Sequence, residues 1–458
     1  MQDDQIGKRQ TTGARGFAPE WRTGEYHIPA DRYRTRAFAE LEAEQLWMKT
    51  WQMACRLDQL RSPGSYVVYD ILDQSVVVVR VDEGHVKAYH NVCPHRATAL
   101  AVGAGRYQLG QITCPFHGWK WNLDGKNTHV PDLEEFKGGC MANADVDLKE
   151  LPLQVWAGFV YVSLSPDPVP FEQFVAPIAS LVDGVLLGQM KYHYHYQARV
   201  NANWKVALEA FIEAYHVPQT HPQLTPGTAA DFTSLYSYHP MDNGHGLFHS
   251  SGANSTGRMS REKMAAMPQE QQTDALLRSL QTLYQGQDAQ AHIEELELAR
   301  SMRFRYIPDG KSVGEHFQTI LRDHYASQGR AIGSFADLSK IGDMLIFPNV
   351  VFLPTFGNAV MYRSRPDPDN DPDWCVFDMY AIRTYPEGMA VPDWKTVIAD
   401  GPLDDAKSWF LIPSQDFSSI VRQQKGIRSK AFQAAILSGR QESLILNMHR
   451  EIDAWLGG

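Results

Sequence analysis

The sequence has few cysteines and no long apolar run. Its five cysteines are odd in number and widely spaced along 458 residues, which argues against a disulfide framework. No stretch approaches the roughly 18 apolar residues of a membrane-spanning helix, and the opening residues contain no apolar signal-peptide core. We therefore expect a cytoplasmic protein in which some cysteines serve another purpose.

The chain also lacks an excess of basic residues, internal repeats and glycine-rich nucleotide motifs. It has 43 Lys and Arg against 53 Asp and Glu, a formal net charge of −10. A surface for nucleic acid or anionic lipid would need clustered positive charge, so neither partner is expected. Because no GxGxxG or P-loop sequence is present, we expect no nucleotide or flavin site in this chain.

The residues that are present indicate two domains of different texture. Between positions 64 and 164, short runs rich in Val, Tyr and Trp, such as SVVVVRV, predict a small all-β domain. The proline-rich SLSPDPVPF at 163–171 is typical of a linker. Beyond it, helical and strand-like patterns occur in separate stretches, which predicts an α+β domain. We expect boundaries at 1–45, 46–165 and 166–458, with a helical insertion at 260–335.

Two motifs in the β-like region offer metal ligands. Cys93-Pro-His95 and Cys114-Pro-Phe-His117 each contain one cysteine and one histidine. Zinc ribbons usually use pairs of cysteines, whereas a Rieske [2Fe-2S] cluster needs two thiolates on one iron and two imidazoles on the other. The motifs therefore predict a Rieske cluster held by Cys93, His95, Cys114 and His117, with a zinc knuckle as the alternative.

A second set of ligand-type residues lies in EAFIEAYHVPQTH, residues 209–221. On a helix, Glu209, Glu213 and His216 would share one face, whereas His221 would point elsewhere. Because Pro218 lacks an N–H and clashes with the preceding turn, we expect the helix to stop between the two histidines. Two imidazoles and one carboxylate on one side of Fe(II) would leave positions for O2 and substrate. The alternative is that these histidines are ordinary hydrogen-bonded residues.

Together these motifs resemble those of the Rieske non-haem iron oxygenases, the aromatic-ring-hydroxylating family, and specifically their large (α) subunit. The resemblance implies an α+β fold in which a Rieske domain precedes a catalytic domain with mononuclear iron on an antiparallel, helix-grip-like sheet. Two positions depart from the family pattern, since Ala97 stands where Gly is usual and Glu213 where Asp is usual. The residues that match the catalytic motif are Asn203, Trp204, Lys205, Glu209, Tyr215, His216 and His221.

The resemblance also implies roles for individual residues. His216 and His221 would bind the mononuclear iron, and Asp416 would be the third ligand. Asp404 and Asp405 are fallbacks for that ligand, and a helix N-cap is the other role open to Asp416. Glu213 would act in catalysis by hydrogen-bonding an iron-binding histidine of its own chain and His117 of a neighbouring chain.

From this resemblance we expect the terminal oxygenase of a multicomponent system. It would use O2 and electrons from a ferredoxin or flavin reductase, ultimately from NAD(P)H, to hydroxylate an organic substrate, with an aromatic one as the first expectation. One alternative is a monooxygenase that acts by N- or O-dealkylation on an anilide, aryl ether or quaternary amine. Another is a Rieske electron-transfer protein that is not an enzyme. A homotrimer is expected, with or without a small β subunit.

The sequence says less about the substrate pocket. Arg303, Arg305 and Arg363 could meet a carboxylated substrate, but we expect them to form exposed salt bridges. Five apolar residues near the second motif are candidates for the pocket wall, although such residues usually form core. They are Phe211, Ile212, Phe347, Phe352 and Phe356.

Overall fold

The structure is a computed structural model that describes residues 16–224, 236–250, 266–330, 333, 342–407 and 409–457. Residues 1–15 of the predicted N-terminal segment lie outside the described residues, as do 260–265, 331, 332, 334 and 335 of the predicted helical insertion. Within the described ranges, no helix has the length and apolar character needed to cross a membrane.

The N-terminal region is built from small antiparallel sheets, as predicted. A five-stranded sheet has the order β10-β5-β4-β3-β6, and two three-stranded sheets have the orders β11-β12-β2 and β7-β8-β9. The strands are β1 (His27–Pro29), β2 (Gln52–Arg56), β3 (Ser65–Ile71), β4 (Gln74–Arg80), β5 (Val86–His90), β6 (Ala104–Arg106), β7 (Gln111–Thr113), β8 (Lys120–Asn122), β9 (Asn127–His129), β10 (Glu150–Leu151), β11 (Leu153–Trp156) and β12 (Phe159–Val162).

The valine run on β4 is buried on both faces of its sheet. Val76 and Val78 belong to the main hydrophobic core, which extends into the C-terminal region. Val77 and Val79 point the other way, into a separate core that also contains both motif cysteines. Because successive side chains of a strand alternate between faces, an unbroken apolar run is what a strand between two cores requires.

The C-terminal region is organised around one eight-stranded sheet of order β14-β15-β16-β17-β18-β19-β13-β20. Its neighbouring strands are antiparallel except for the parallel pair β13 and β20. The antiparallel sheet predicted for this domain is thus confirmed. The strands are β13 (Lys191–Val200), β14 (Tyr236–Pro240), β15 (Gly246–Ser250), β16 (Asp343–Ile346), β17 (Val350–Thr355), β18 (Asn358–Pro366), β19 (Cys375–Arg383) and β20 (Thr396–Ile398), while β21 (Ala434–Ile436) pairs with β1.

Helices flank this sheet. Short helices precede it and follow β13: α1 (Asp31–Arg34), α2 (Arg36–Glu42), α3 (Phe171–Val175), α4 (Ala179–Gly184), α5 (Trp204–Glu209) and α6 (Val217–Thr220). The longer ones are α7 (Gln269–Gln287), α8 (Ile293–Ser301), α9 (Val313–Ser327), α10 (Leu411–Ile427) and α11 (Ser443–Trp455). Helix α9 begins at a capping box, in which Ser312 accepts from the N–H of Glu315 at 3.2 Å and Glu315 accepts from that of Ser312 at 2.9 Å.

Arg363 corrects one expectation, because it is buried rather than exposed. Its guanidinium donates to Asp378 at 2.9 Å and to the carbonyl of Met53, on β2, at 2.7 Å. Burial alone would raise the pKa of Asp378, but Arg363 and Arg365 outweigh it and hold that pKa well below its usual range. Arg363 therefore ties the large sheet to the N-terminal region.

Candidate functional site

The segment 209–221, which contains the predicted iron-binding histidines, bends twice. Helix α5 begins after Asn203, whose side chain accepts from the N–H of Lys205 at 3.1 Å. It ends at Glu209, so the expectation of one helix that continues to His216 is wrong. Pro218 lies in the first turn of α6 and does not stop a helix. Its missing N–H is no loss there, because the first N–H groups of a helix have no partner within that helix.

These bends bring three predicted ligands together. Nε2 of His221 lies 2.8 Å from Oδ1 of Asp416, and Nε2 of His216 lies 3.5 Å from the same oxygen. Asp416 is 3% exposed and lies in the second turn of α10, which excludes the N-cap role. Neither Asp404 nor Asp405 belongs to this group. Two imidazoles and one carboxylate form a donor set suited to a divalent iron with open positions.

The outer nitrogens of both histidines are held by acceptors. Nδ1 of His216 lies 2.5 Å from Oε1 of Glu213, and Nδ1 of His221 lies 2.9 Å from Oε1 of Gln415. With Nδ1 directed outwards at these acceptors, Nε2 of each ring is the nitrogen directed at Asp416 and the one that a metal ion would bind. Burial opposes protonation of His216, but the carboxylates of Glu213 and Asp416 outweigh it and raise its pKa to about 10. Sequence reasoning assigned no role to Gln415.

Glu209 lies beside this group but is not part of it. Its carboxylate accepts from the hydroxyl of Tyr33 at 3.0 Å and lies 2.8 Å from Nε2 of His449. Burial raises its pKa to about 7. A cleft of about 740 Å³ opens here, and its wall includes Glu209, Glu213 and His216. The ring of Phe211, an expected wall residue, packs against Tyr362 in the core, with centroids 4.0 Å apart.

The second candidate centre lies between two loops of the β region. The rings of His95 and His117 are 4.7 Å apart, and His95 stacks on Trp119 at 4.8 Å. Cys93 and Cys114 are both buried and unbridged. Among the described residues, Nδ1 of His95 is buried without a hydrogen-bond partner. An unpartnered imidazole nitrogen beside buried thiols matches the donors that a [2Fe-2S] cluster of the Rieske type requires.

The two loops have the same backbone turn. The N–H of Ala97 donates to the carbonyl of Cys93 at 3.0 Å, and that of Gly118 donates to the carbonyl of Cys114 at 3.1 Å. Ala97 and Gly118 both have positive φ, 63° and 73°. Ala97 therefore replaces the usual glycine at a position where the backbone favours glycine. The departure leaves the turn intact.

Comparison with known families agrees with both centres. A family model described as the catalytic domain of the ring-hydroxylating alpha subunit matches residues 187–458, more than half of the chain. The chain belongs to this family. A second model, the Rieske [2Fe-2S] domain, matches residues 50–152. As a ring-hydroxylating alpha subunit, the chain has the predicted fold class and the two predicted iron cofactors, a Rieske cluster and a mononuclear iron.

Several relatives of this alpha subunit have known substrates. It is 30% identical over 209 residues to the carnitine monooxygenase oxygenase subunit of Escherichia coli, a match that covers 44% of this chain and 54% of the relative. It is 28% identical over 204 residues to the glycine betaine monooxygenase oxygenase subunit of Pseudomonas aeruginosa, covering 43% and 46%. The chain thus spans about half the length of these relatives.

The fold extends over nearly the whole chain. A crystal structure of a quaternary ammonium Rieske monooxygenase, described as giving insights into carnitine oxidation, matches with a TM-score of 0.66 and 16% identity. The match covers 96% of this chain and 99% of that one. At this identity the likeness establishes the fold, while substrate and partners have to be argued from the site.

Proposed function

We propose that this alpha subunit is the terminal component of a Rieske monooxygenase that oxidises a quaternary ammonium compound. The observation that carries the proposal is the convergence of His216, His221 and Asp416, with both Nε2 atoms directed at the carboxylate. The relatives act on carnitine and glycine betaine. They favour the N-dealkylating alternative over the aromatic hydroxylation that the sequence first suggested.

The residues of the site prepare it for iron chemistry. When bound, the mononuclear iron supplies the capacity to activate O2. Glu213 and Gln415 contact Nδ1 of the two imidazoles and so hold Nε2 of each ring towards Asp416. Phe211 and Tyr362 pack against each other in the hydrophobic core. The contribution of the protein is thus the orientation of the candidate ligands.

Asp343 supports a cationic substrate. It begins β16, keeps some accessible surface, and burial raises its pKa to about 7 with no charged group contributing. The charges of Asp416 and Asp343 both raise the pKa of Tyr362, after burial itself, so both carboxyls lie near that ring. Among the described residues Asp343 has no cationic partner, so a quaternary ammonium group close to it would stabilise its charged form.

We propose that the Rieske loops dock against a neighbouring chain. Phe116, next to His117, is 57% exposed, and Val92, next to Cys93, is 40% exposed. Exposed apolar side chains around a redox centre suit a protein contact that closes over it. The cleft lined by Glu213 and His216 is the complementary candidate on the other chain. A homotrimer, with or without a small β subunit, would supply each cleft with the loops of its neighbour.

The experiment is a product assay with the purified protein, a surrogate reductase and NADH. Carnitine, glycine betaine and choline are compared with naphthalene and benzoate, and amine, aldehyde and diol products are identified by mass spectrometry. The proposal expects loss of an N-alkyl group from an ammonium compound. Diol formation from an arene without amine turnover would contradict it. In Glu213→Gln the acceptor for His216 persists without its charge, so both iron centres should stay occupied while turnover falls.

A further inference from the structure

A second group of two histidines and one aspartate lies outside the site described above. Oδ2 of Asp288 is 3.1 Å from Nε2 of His193, and its Oδ1 is 3.0 Å from Nδ1 of His292. The two imidazole rings are 4.9 Å apart at 80° to each other. One donor atom from each residue lies within 4.8 Å of the other two. This is the same set of donor types that His216, His221 and Asp416 provide.

The three residues come from three different elements. His193 lies on β13, Asp288 follows the last residue of α7, and His292 precedes α8. Asp288 adopts the left-handed conformation with φ of 44°, which turns the chain from α7 towards His292. A non-glycine residue there costs roughly 1 kcal/mol. The backbone thus holds the carboxylate between two imidazoles at a local energetic cost.

The burial of the group is graded, as a reachable ion site requires. His292 is 4% exposed, and its Nε2 has no hydrogen-bond partner among the described residues. The side chains of His193 and Asp288 are 23% and 35% exposed, so solvent reaches one side of the group. The nearby guanidinium of Arg383 lies 3.5 Å from a carboxylate oxygen of Glu294, which offsets its charge. An ion could enter from solvent and keep water as a further ligand.

We propose that His193, Asp288 and His292 bind a divalent transition-metal ion, with Zn²⁺ as the expected occupant. Two imidazole nitrogens and one carboxylate oxygen suit zinc, and water from the open side of the group would take the fourth position. The ion would cross-link the large sheet to the junction of α7 and α8. The residue before Asp288, Gln287, accepts from the hydroxyl of the core residue Tyr362 at 3.1 Å, so the cross-link would anchor the helix end that contacts this tyrosine.

Metal analysis of the iron-loaded protein tests this proposal. The protein is equilibrated with Zn²⁺ by dialysis, and zinc and iron are measured together by mass spectrometry. We expect one equivalent of zinc per chain with unchanged iron content, and a higher melting temperature in zinc. His193→Gln, a partly exposed position on the sheet, should weaken zinc binding at least tenfold. Asp288→Asn should do the same, and if it fails to fold, His193→Gln decides.

His324→Gln is the matched control. His324 lies on α9 and its Nε2 is 2.7 Å from Glu294, so it forms a histidine–carboxylate pair. This variant should bind zinc as the wild type does. Anomalous diffraction at the zinc edge should show a peak between the three proposed ligands. Three results would overturn the proposal. The wild type takes up no zinc, zinc uptake displaces iron, or His193→Gln binds zinc as tightly as the wild type.

Discussion

Gln415 accepts a hydrogen bond from Nδ1 of His221 at 2.9 Å, while the other nitrogen of that ring lies 2.8 Å from the neighbouring residue Asp416. One turn of α10 therefore contributes both the candidate iron ligand Asp416 and the acceptor, Gln415, that orients the second candidate ligand, His221. The carboxylate of Asp416 thus directly follows the amide of Gln415, which holds the neighbouring ligand His221.

Gln415→Ala should weaken iron binding at the mononuclear site by roughly 10- to 100-fold, because His221 loses the acceptor that orients it. Gln415→Glu keeps an acceptor and should retain iron. Ser418→Ala is the control, since Ser418 donates only to the carbonyl of Gln415 within the same helix. Iron dissociation followed by chelator competition measures the effect. Equal retention in Gln415→Ala and the control would contradict the assigned role.

The paired turns of the Rieske loops predict opposite effects of two substitutions. Ala97→Gly should stabilise the protein by up to about 1 kcal/mol, because glycine relieves the left-handed backbone. Gly118→Ala should destabilise it by about 1 kcal/mol for the same reason. A Cβ at Gly118 would meet no atom of the described residues within 4 Å, so backbone strain is the expected cause. Urea unfolding followed by loss of cluster absorbance gives both values, and effects of the same sign would refute this interpretation.

The sequence predicted those parts of the site that local chemistry determines. Ligand types and spacing at Cys93 and His95 predicted a cluster, and HxxxxH predicted the pair His216 and His221. The course of the chain between the histidines was predicted wrongly. The helix ends at Glu209 because the site needs His216 and His221 on converging segments, a tertiary requirement that overrides helical periodicity.

Contacts distant in sequence were beyond prediction. Gln415 and His221 are 194 residues apart, and nothing in either segment indicates that they meet. Arg363 was expected at the surface, because its buried partners, Asp378 and the carbonyl of Met53, become visible only once the sheet is assembled. The domain boundaries at 45 and 165 remain predictions, as does the role of Glu213 in electron transfer.

Because His245 is buried as a neutral imidazole, we expect the protein to lose stability in acid. Its ring is fully buried, donates from Nε2 to the carbonyl of Phe174 at 2.7 Å and accepts from the N–H of Phe347 at 3.1 Å. Burial lowers its pKa to about 4. The unfolded chain takes up the proton near pH 6.5, so the stability present above that pH is lost as pH falls towards 4, by roughly 3 kcal/mol.

Urea unfolding between pH 7.5 and 4.5 measures this loss. His245→Asn should lower stability at neutral pH but flatten its decline in acid, because the titrating group is gone. His27→Asn, at an exposed position on β1, should leave the decline as in the wild type. An equally steep decline in His245→Asn would show that other groups cause it.

Asp343→Asn tests the cationic character of the substrate. The variant should raise KM for a quaternary ammonium substrate by roughly 10-fold, since a charge-assisted contact contributes more than a neutral one. A neutral analogue with carbon in place of nitrogen should show no such change. Wild-type KM for the cation should fall as pH rises through about 7, where Asp343 ionises. Equal effects on cation and neutral analogue would indicate a purely structural role.

The central claim is that one chain holds two separate iron centres, and iron with acid-labile sulfide per chain measures it most directly. The wild type should contain about three irons and two sulfides, from one [2Fe-2S] cluster and one mononuclear site. His221→Ala should lose one iron and no sulfide, and Cys114→Ser should lose two irons and both sulfides. Two results would contradict the account: three irons retained in His221→Ala, or two irons and one zinc in the wild type.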